Sequence, residues 1–166
     1  MRIDCHVHSK YSKRPSEWIL KKIGSPESFT EPLKLYDLAR WRGMTHVTIT
    51  DHNSIDGALE IAHLPKTFVS EEVTTYFPED ECKVHVLALN INEAQHGEIQ
   101  KVRENIFDLA EYFKLEKICS VVAHPLYAVN DRLTADHVEK LLLLFQNFEP
   151  NGARNSRENQ VVKTIV

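Results

Sequence analysis

Short apolar runs alternate with apolar stripes at helical spacing through most of the chain. Residues 1–7 alternate apolar and polar positions and end at His8-Ser9, the pattern of a strand. Residues 9–31 carry Pro15, Gly24, Pro26 and many charges, and read as a loop of the length usually kept for function or motion. Glu31-Pro32 opens a helix, since proline is pre-set for a first turn, and the stripe Leu35, Leu38, Ala39, Arg42 stops at Gly43. Residues 46–50 form a second strand running into Asp51-His52-Asn53-Ser54. A short helix with Ile55, Ala58, Leu59 and Ala62 follows, ending near Pro65. Residues 67–76 are β-branched and aromatic, a third strand. Residues 83–89 alternate, with Val84, Val86 and Ala88 on one face and His85, Leu87 and Leu89 on the other. Ile99, Val102, Ile106, Leu109, Ala110 and Phe113 trace one helical stripe. A buried strand at 118–123 runs into His124-Pro125. Thr134 is placed to cap a helix carrying Val138, Leu141, Leu142 and Phe145, and a last strand is expected at 146–149.

Strands mostly followed by helices, with one hairpin-like pair in the middle, predict an α/β chain with a largely parallel sheet. The pattern then breaks. Asn151-Gly152 opens a polar stretch before Val161, Val162, Ile165 and Val166, which leaves a sheet edge without a closing element.

Composition narrows the class. The 166 residues suit one domain with its own core, and 42% apolar with 27% charged residues exclude a disordered or fibrous chain. Twenty basic against 24 acidic residues give a formal charge of -4, which argues against nucleic-acid or membrane binding through bulk charge. No apolar run reaches bilayer length, and residues 1–8 are too polar for a signal peptide. Cys5, Cys82 and Cys119 form no C-x-x-C pair and suggest no disulfide framework, so a cytoplasmic location is expected. Nine histidines are an excess for this length, and imidazole is the commonest metal ligand.

The strongest local signal is Asp4-Cys5-His6-Val7-His8. Period-two alternation puts Asp4, His6 and His8 on one face, with the two imidazoles about 7 Å apart along the strand and within reach of one ion. Cys5 then points into packing. His52 follows the second strand beside Asp51, His124 follows the fifth, and His85 lies within the fourth. In parallel α/β folds such positions converge at the carboxyl edge of the sheet. Ser70, Glu72 and Thr74 share one face of the third strand and Glu71 and Val73 the other. Spacing alone does not say which carboxylate faces the histidines. His46, His63, His96 and His137 read as surface or capping residues.

Taken in order, Asp4-Cys5-His6-Val7-His8-Ser9, Ile49-Thr50-Asp51-His52-Asn53, Glu72-Val73-Thr74, Val84-His85-Val86-Leu87 and Ala123-His124-Pro125 resemble the polymerase-and-histidinol-phosphatase (PHP) family of metal-dependent phosphoesterases. Ser9-Lys10-Tyr11 through Trp18, Gly24 and Glu31-Pro32 looks like the branch often encoded beside glycosyltransferases, and the likeness covers residues 1 to about 155. The resemblance implies a distorted (β/α)7-type, TIM-like barrel with two or three divalent ions, zinc, manganese or iron. It places His6 and His8 on a first metal, with Glu72 bridging to a second that His85 and His124 complete. His52 would serve a third. A carboxylate suits that bridge, because closely spaced divalent cations need an anion between them.

Two departures stand out. Where the family places an Asp or His after the first motif, this chain has Lys13 and Arg14. The family's closing D-x-H motif does not follow His124; Asp136-His137 lies in an expected helix at the wrong spacing. The first and third sites would each lack a ligand. The expectation is a single PHP-like domain, 1–166, incomplete at its C-terminal edge, with that edge supplied by further chain or by a second protomer.

The function expected is metal-dependent hydrolysis of a phosphoester, either a small phosphomonoester or a nucleotide or nucleic-acid end. Asp51 and Glu72 would be the catalytic carboxylates, Asp51 by orienting His52, and Lys13 and Arg14 would hold phosphate. The alternative is a scaffold that binds metal without turnover and acts structurally or with a partner.

Overall fold

The computed structural model describes residues 1–12, 28–150 and 156–165. Lys13, Arg14 and most of the long loop lie outside the described residues. The chain divides into two compact units, Met1–Glu72 with Leu87–Glu98, and Val73–Val86 with Ile99–Val166. The elements run α1 (Pro32–Trp41), α2 (Asp56–Ile61), β1 (Ser70–Phe77), β2 (Cys82–Leu89), α3 (Glu93–Val102), α4 (Ile106–Leu115), β3 (Cys119–Ala123), α5 (Ala135–Leu144) and α6 (Ser156–Ile165). Strands β1, β2 and β3 form a sheet in that order. Among the described residues no helix is long and apolar enough to cross a membrane.

In the first unit, α1 starts at Pro32 because Glu31 is held extended before the proline (ψ 140°). It stops in a Schellman turn: Met44 N–H bonds to Ala39 O, Gly43 N–H bonds to Arg40 O, and Gly43 takes φ +81°. Val47, Ile49, Ala58 and Ile61 make the core here, with Leu35, Tyr36, Ala39, Leu64 and Val69 packed around them.

Three chain segments lie side by side in this unit. Thr45 N–H bonds to Arg2 O and Thr50 N–H to Val7 O, so residues 2–7 and 45–50 run parallel. The expected strand at 1–7 nevertheless forms no regular ladder. The hydroxyls of Thr45 and Thr50 take the Arg2 and Val7 amides in place of backbone acceptors. Residues 46–52 in turn meet 67–72 through parallel bridges at Val47–Thr67 and His52–Glu72.

Strands β1 and β2 are joined by a tight turn closed by Glu81 N–H to Phe77 O, with Glu81 at φ +58°. Both are buried along nearly their whole length. The alternation read in residues 83–89 therefore separates two buried faces rather than core from solvent.

In the second unit, the single helical stripe expected over Ile99 to Phe113 is broken. Asn105 leaves the helical region (φ -127°, ψ 117°) and its side chain accepts the Phe107 amide, which ends one helix and caps α4. Thr134 caps α5 as expected, and His137 completes a capping box by accepting from the Thr134 amide. The strand expected at 146–149 is reduced to a parallel bridge between Val122 and Phe148. Val161 and Val162 lie in α6, where Val162 is buried and Val161 is exposed.

Candidate metal centre

The three parallel segments of the first unit set the site. The His52–Glu72 bridge, with Glu72 N–H to Asp51 O and Asn53 N–H to Glu72 O, fixes the register that puts the His52 ring beside the Glu72 carboxylate. The Val7–Thr50 pairing brings His6 and His8 to the same place. Their Nε2 atoms lie 3.1 Å apart.

Glu72 is fully buried, and its Oε2 is 3.2 Å from His6 Nε2, 3.2 Å from His8 Nε2 and 3.2 Å from His52 Nδ1. The His8 and His52 rings stack with centroids 4.9 Å apart, and those of His6 and His8 meet edge-on at 5.0 Å. Glu72 rather than Glu71 is thus the carboxylate facing the histidines.

This donor set fits a divalent cation. One carboxylate oxygen has two lone pairs and cannot accept from three imidazole N–H groups, and two facing Nε2 atoms can share only one proton. Ligands of a tetrahedral ion at zinc–nitrogen distances lie ~3.3 Å from one another, close to the spacings seen. His8, His52 and Glu72 each offer a ligand atom within 4.8 Å of the others.

Supporting contacts hold the candidate ligands. Ser12 Oγ lies 3.2 Å from His8 Nδ1 and accepts the His52 amide at 3.4 Å, so one hydroxyl touches both histidine segments. Asp51 is buried, and its two oxygens accept from Ser9 N–H and Ser9 Oγ, both at 2.6 Å. Burial pushes the Asp51 carboxyl upward, and the Ser9 hydrogen bonds oppose it. The sequence suggested His52 as the partner that Asp51 orients. The structure places its hydrogen bonds on Ser9, so Asp51 positions the segment that follows His8.

In the second unit, His85 and His124 meet edge-on with ring centroids 5.2 Å apart. His124 has φ +33°, rare for a residue that carries a Cβ, and its amide bonds to Glu149 Oε2 at 3.1 Å. Such strain persists where the surroundings fix a side chain in place. Lys13 and Arg14 lie outside the described residues.

Several residues of the site escape sequence reasoning. Ser9 and Ser12 are wholly buried polar residues in what reads as loop. Gly57 packs so closely on Asp51 and Ser9 that a Cβ there would overlap Asp51 Oδ2 and Ser9 Oγ. His96, read as surface or capping, is hydrogen-bonded through Nδ1 to Glu71 Oε1 at 2.9 Å. That bond, set against the desolvation of the ring, holds the imidazole above its ordinary value. His137 caps α5 and is itself buried.

No family model matches the sequence. A stretch of 73 residues is 41% identical to an uncharacterized protein of Methanocaldococcus jannaschii, covering 44% of this chain and 41% of that protein. The matched stretch is thus less than half of either chain. Two solved structures resemble the whole chain. One is a proposed metal-dependent phosphoesterase from Bifidobacterium adolescentis, with TM-score 0.57 and 16% identity over 99% of this chain and 82% of that one. The other is an amidohydrolase from Chromobacterium violaceum, solved with sulfate and no metal, with TM-score 0.63 and 15% identity over the same shares. At such identities the likeness concerns the fold: this chain has a fold also found in these two hydrolase structures.

Proposed function

We propose that this protein is a metal-dependent phosphoesterase of the PHP kind. The observation that carries the reading is the convergence of His6, His8 and His52 on one buried oxygen of Glu72. The reading includes the distorted (β/α)7-type barrel, and His85 and His124 as residues that would hold a further ion. The substrate is a phosphomonoester or a nucleotide or nucleic-acid end, and the metal is zinc, manganese or iron. A cytoplasmic setting belongs to the same reading.

Bound divalent ions would supply Lewis-acid charge to a phosphoryl oxygen and to the attacking water. The chain's own residues do the positioning. Ser12 fixes the His8 ring through Nδ1, which leaves Nε2 facing Glu72. Asp51 anchors Ser9 and with it the turn after His8. Burial of Glu72 keeps bulk water from the carboxylate, so a cation there meets a strong field. Lys13 and Arg14 follow the His8 segment in sequence and would offer donors to phosphate oxygens.

The test is hydrolysis of p-nitrophenyl phosphate and of nucleotide 5′- and 3′-phosphates by protein stripped with chelator and reloaded with Mn2+, Zn2+ or Fe2+. Turnover that depends on the ion and is lost in Glu72→Ala supports the reading. Metal binding with no turnover on any phosphoester, but turnover on a cyclic amide, would move the protein to amide hydrolysis.

A further inference from the structure

Strand β1 carries two adjacent, fully buried glutamates. Glu72 faces His6, His8 and His52, and Glu71 faces His96 on α3, 2.9 Å from its Nδ1. Neighbouring residues in a strand point to opposite faces, so a one-residue slip would exchange the two carboxylates. Hydrophobic patterning cannot prevent that slip here, because β1 is buried on both faces. Side-chain partners can. A buried carboxylate left without its partner costs several kcal/mol, and each face offers imidazole to only one of the two.

Nearby bonds tie α3 to the same strand. Ile91 N–H bonds to Val69 O, Asn90 N–H to Ser70 Oγ, and His96 N–H to Asn92 O. His96 is thus held on a segment already attached to the start of β1, on the side away from the metal ligands. We propose that Glu71 and His96 form a positioning pair that fixes the register of β1 and so presents Glu72 to the imidazole cluster. His96 touches neither metal nor substrate in this role, and acts through Glu71. The inference rests on the reading of the cluster as a metal site.

The test compares His96→Ala and His96→Asn with the wild type, all in the full chain and well below their melting temperatures. Asn keeps a donor near the position of Nδ1. Two quantities are read: Mn2+ affinity by competition with a chelating dye, and hydrogen exchange at the Glu72 and Val73 amides of metal-free protein. His96→Ala should weaken Mn2+ affinity about tenfold or more, the range found when supporting partners of ligands are removed. It should also speed exchange at Glu72 and Val73 relative to α1, and His96→Asn should restore most of both. A melting temperature that falls while affinity and local exchange stay at wild-type values overturns the positioning role. A wild-type protein that binds no ion, yet shows the exchange change in His96→Ala, keeps the register lock and overturns the metal reading instead. Glu71→Gln, which keeps an acceptor for His96, should resemble the wild type in exchange. Rapid exchange in this variant despite a native fold counts against the lock.

Discussion

Asp51 and Ser9 are 42 residues apart in sequence, and one carboxylate holds both the amide and the hydroxyl of the serine at 2.6 Å. Each partner adjoins a histidine, His52 and His8, so this contact sets the spacing of two candidate ligands. Asp51→Ala would leave two buried donors of Ser9 without an acceptor, a loss of about 2–4 kcal/mol. Urea denaturation should show a lower midpoint with an unchanged slope. Wild-type stability in this variant would mean that the pair carries no load.

Gly57 packs against that same pair. A methyl group at this position has no room beside Asp51 Oδ2 and Ser9 Oγ, and Ile49 closes the third side. Gly57→Ala should therefore destabilise by about 1–3 kcal/mol despite the better helix propensity of alanine. It should also weaken metal binding, by pushing the His8 and His52 segments apart. A calorimetric melt and a Mn2+ titration on the same sample read both effects.

The helix break at Asn105 has a measurable cost. Its side chain satisfies the Phe107 amide, and removal in Asn105→Ala should lower stability by about 1 kcal/mol. Metal affinity should stay at the wild-type value, since none of the candidate ligands sits on α4. A large change in affinity would show coupling that the contacts do not predict.

His96 gives a pH signature. Its value is raised above 6.5, first by the hydrogen bond to Glu71. A raised folded value means that the protonated ring favours the folded state. The contribution is complete below about pH 6.5 and fades as pH rises through the raised folded value. The stability difference between wild type and His96→Ala should thus shrink towards alkaline pH, and NMR titration should place His96 above free histidine. A difference that grows with pH has the wrong sign for this pair.

Much of this was legible in the residues themselves. Pro32 and Gly43 mark the ends of α1, and Thr134 marks the start of α5, because those residues act through local backbone geometry. H-x-H spacing likewise puts His6 and His8 on one side of their segment, and the Val7–Thr50 pairing then sets them beside Glu72. The choice between Glu71 and Glu72 was not legible in the spacing, and the expectation of Glu72 rested on the family resemblance. Both are fully buried, and only the parallel register with Asp51-His52 decides it. The stripe from Ile99 to Phe113 keeps helical period across a break made by one asparagine side chain. Residues 1–7 alternate as a strand should, yet two threonine hydroxyls replace the ladder. Ser9 and Ser12 look like loop residues because nothing in their own neighbourhood shows that Asp51 and His52 will lie against them.

The most direct measurement is anomalous scattering from crystals of the chain loaded with Mn2+ or Zn2+. A peak about 2.0–2.3 Å from His6 Nε2, His8 Nε2 and Glu72 Oε2, or from His8, His52 and Glu72, is the result predicted. It should vanish in Glu72→Ala while the fold remains. Loaded crystals with no peak at these atoms, and the three imidazoles still packed on Glu72, would contradict the metal centre on which the account stands.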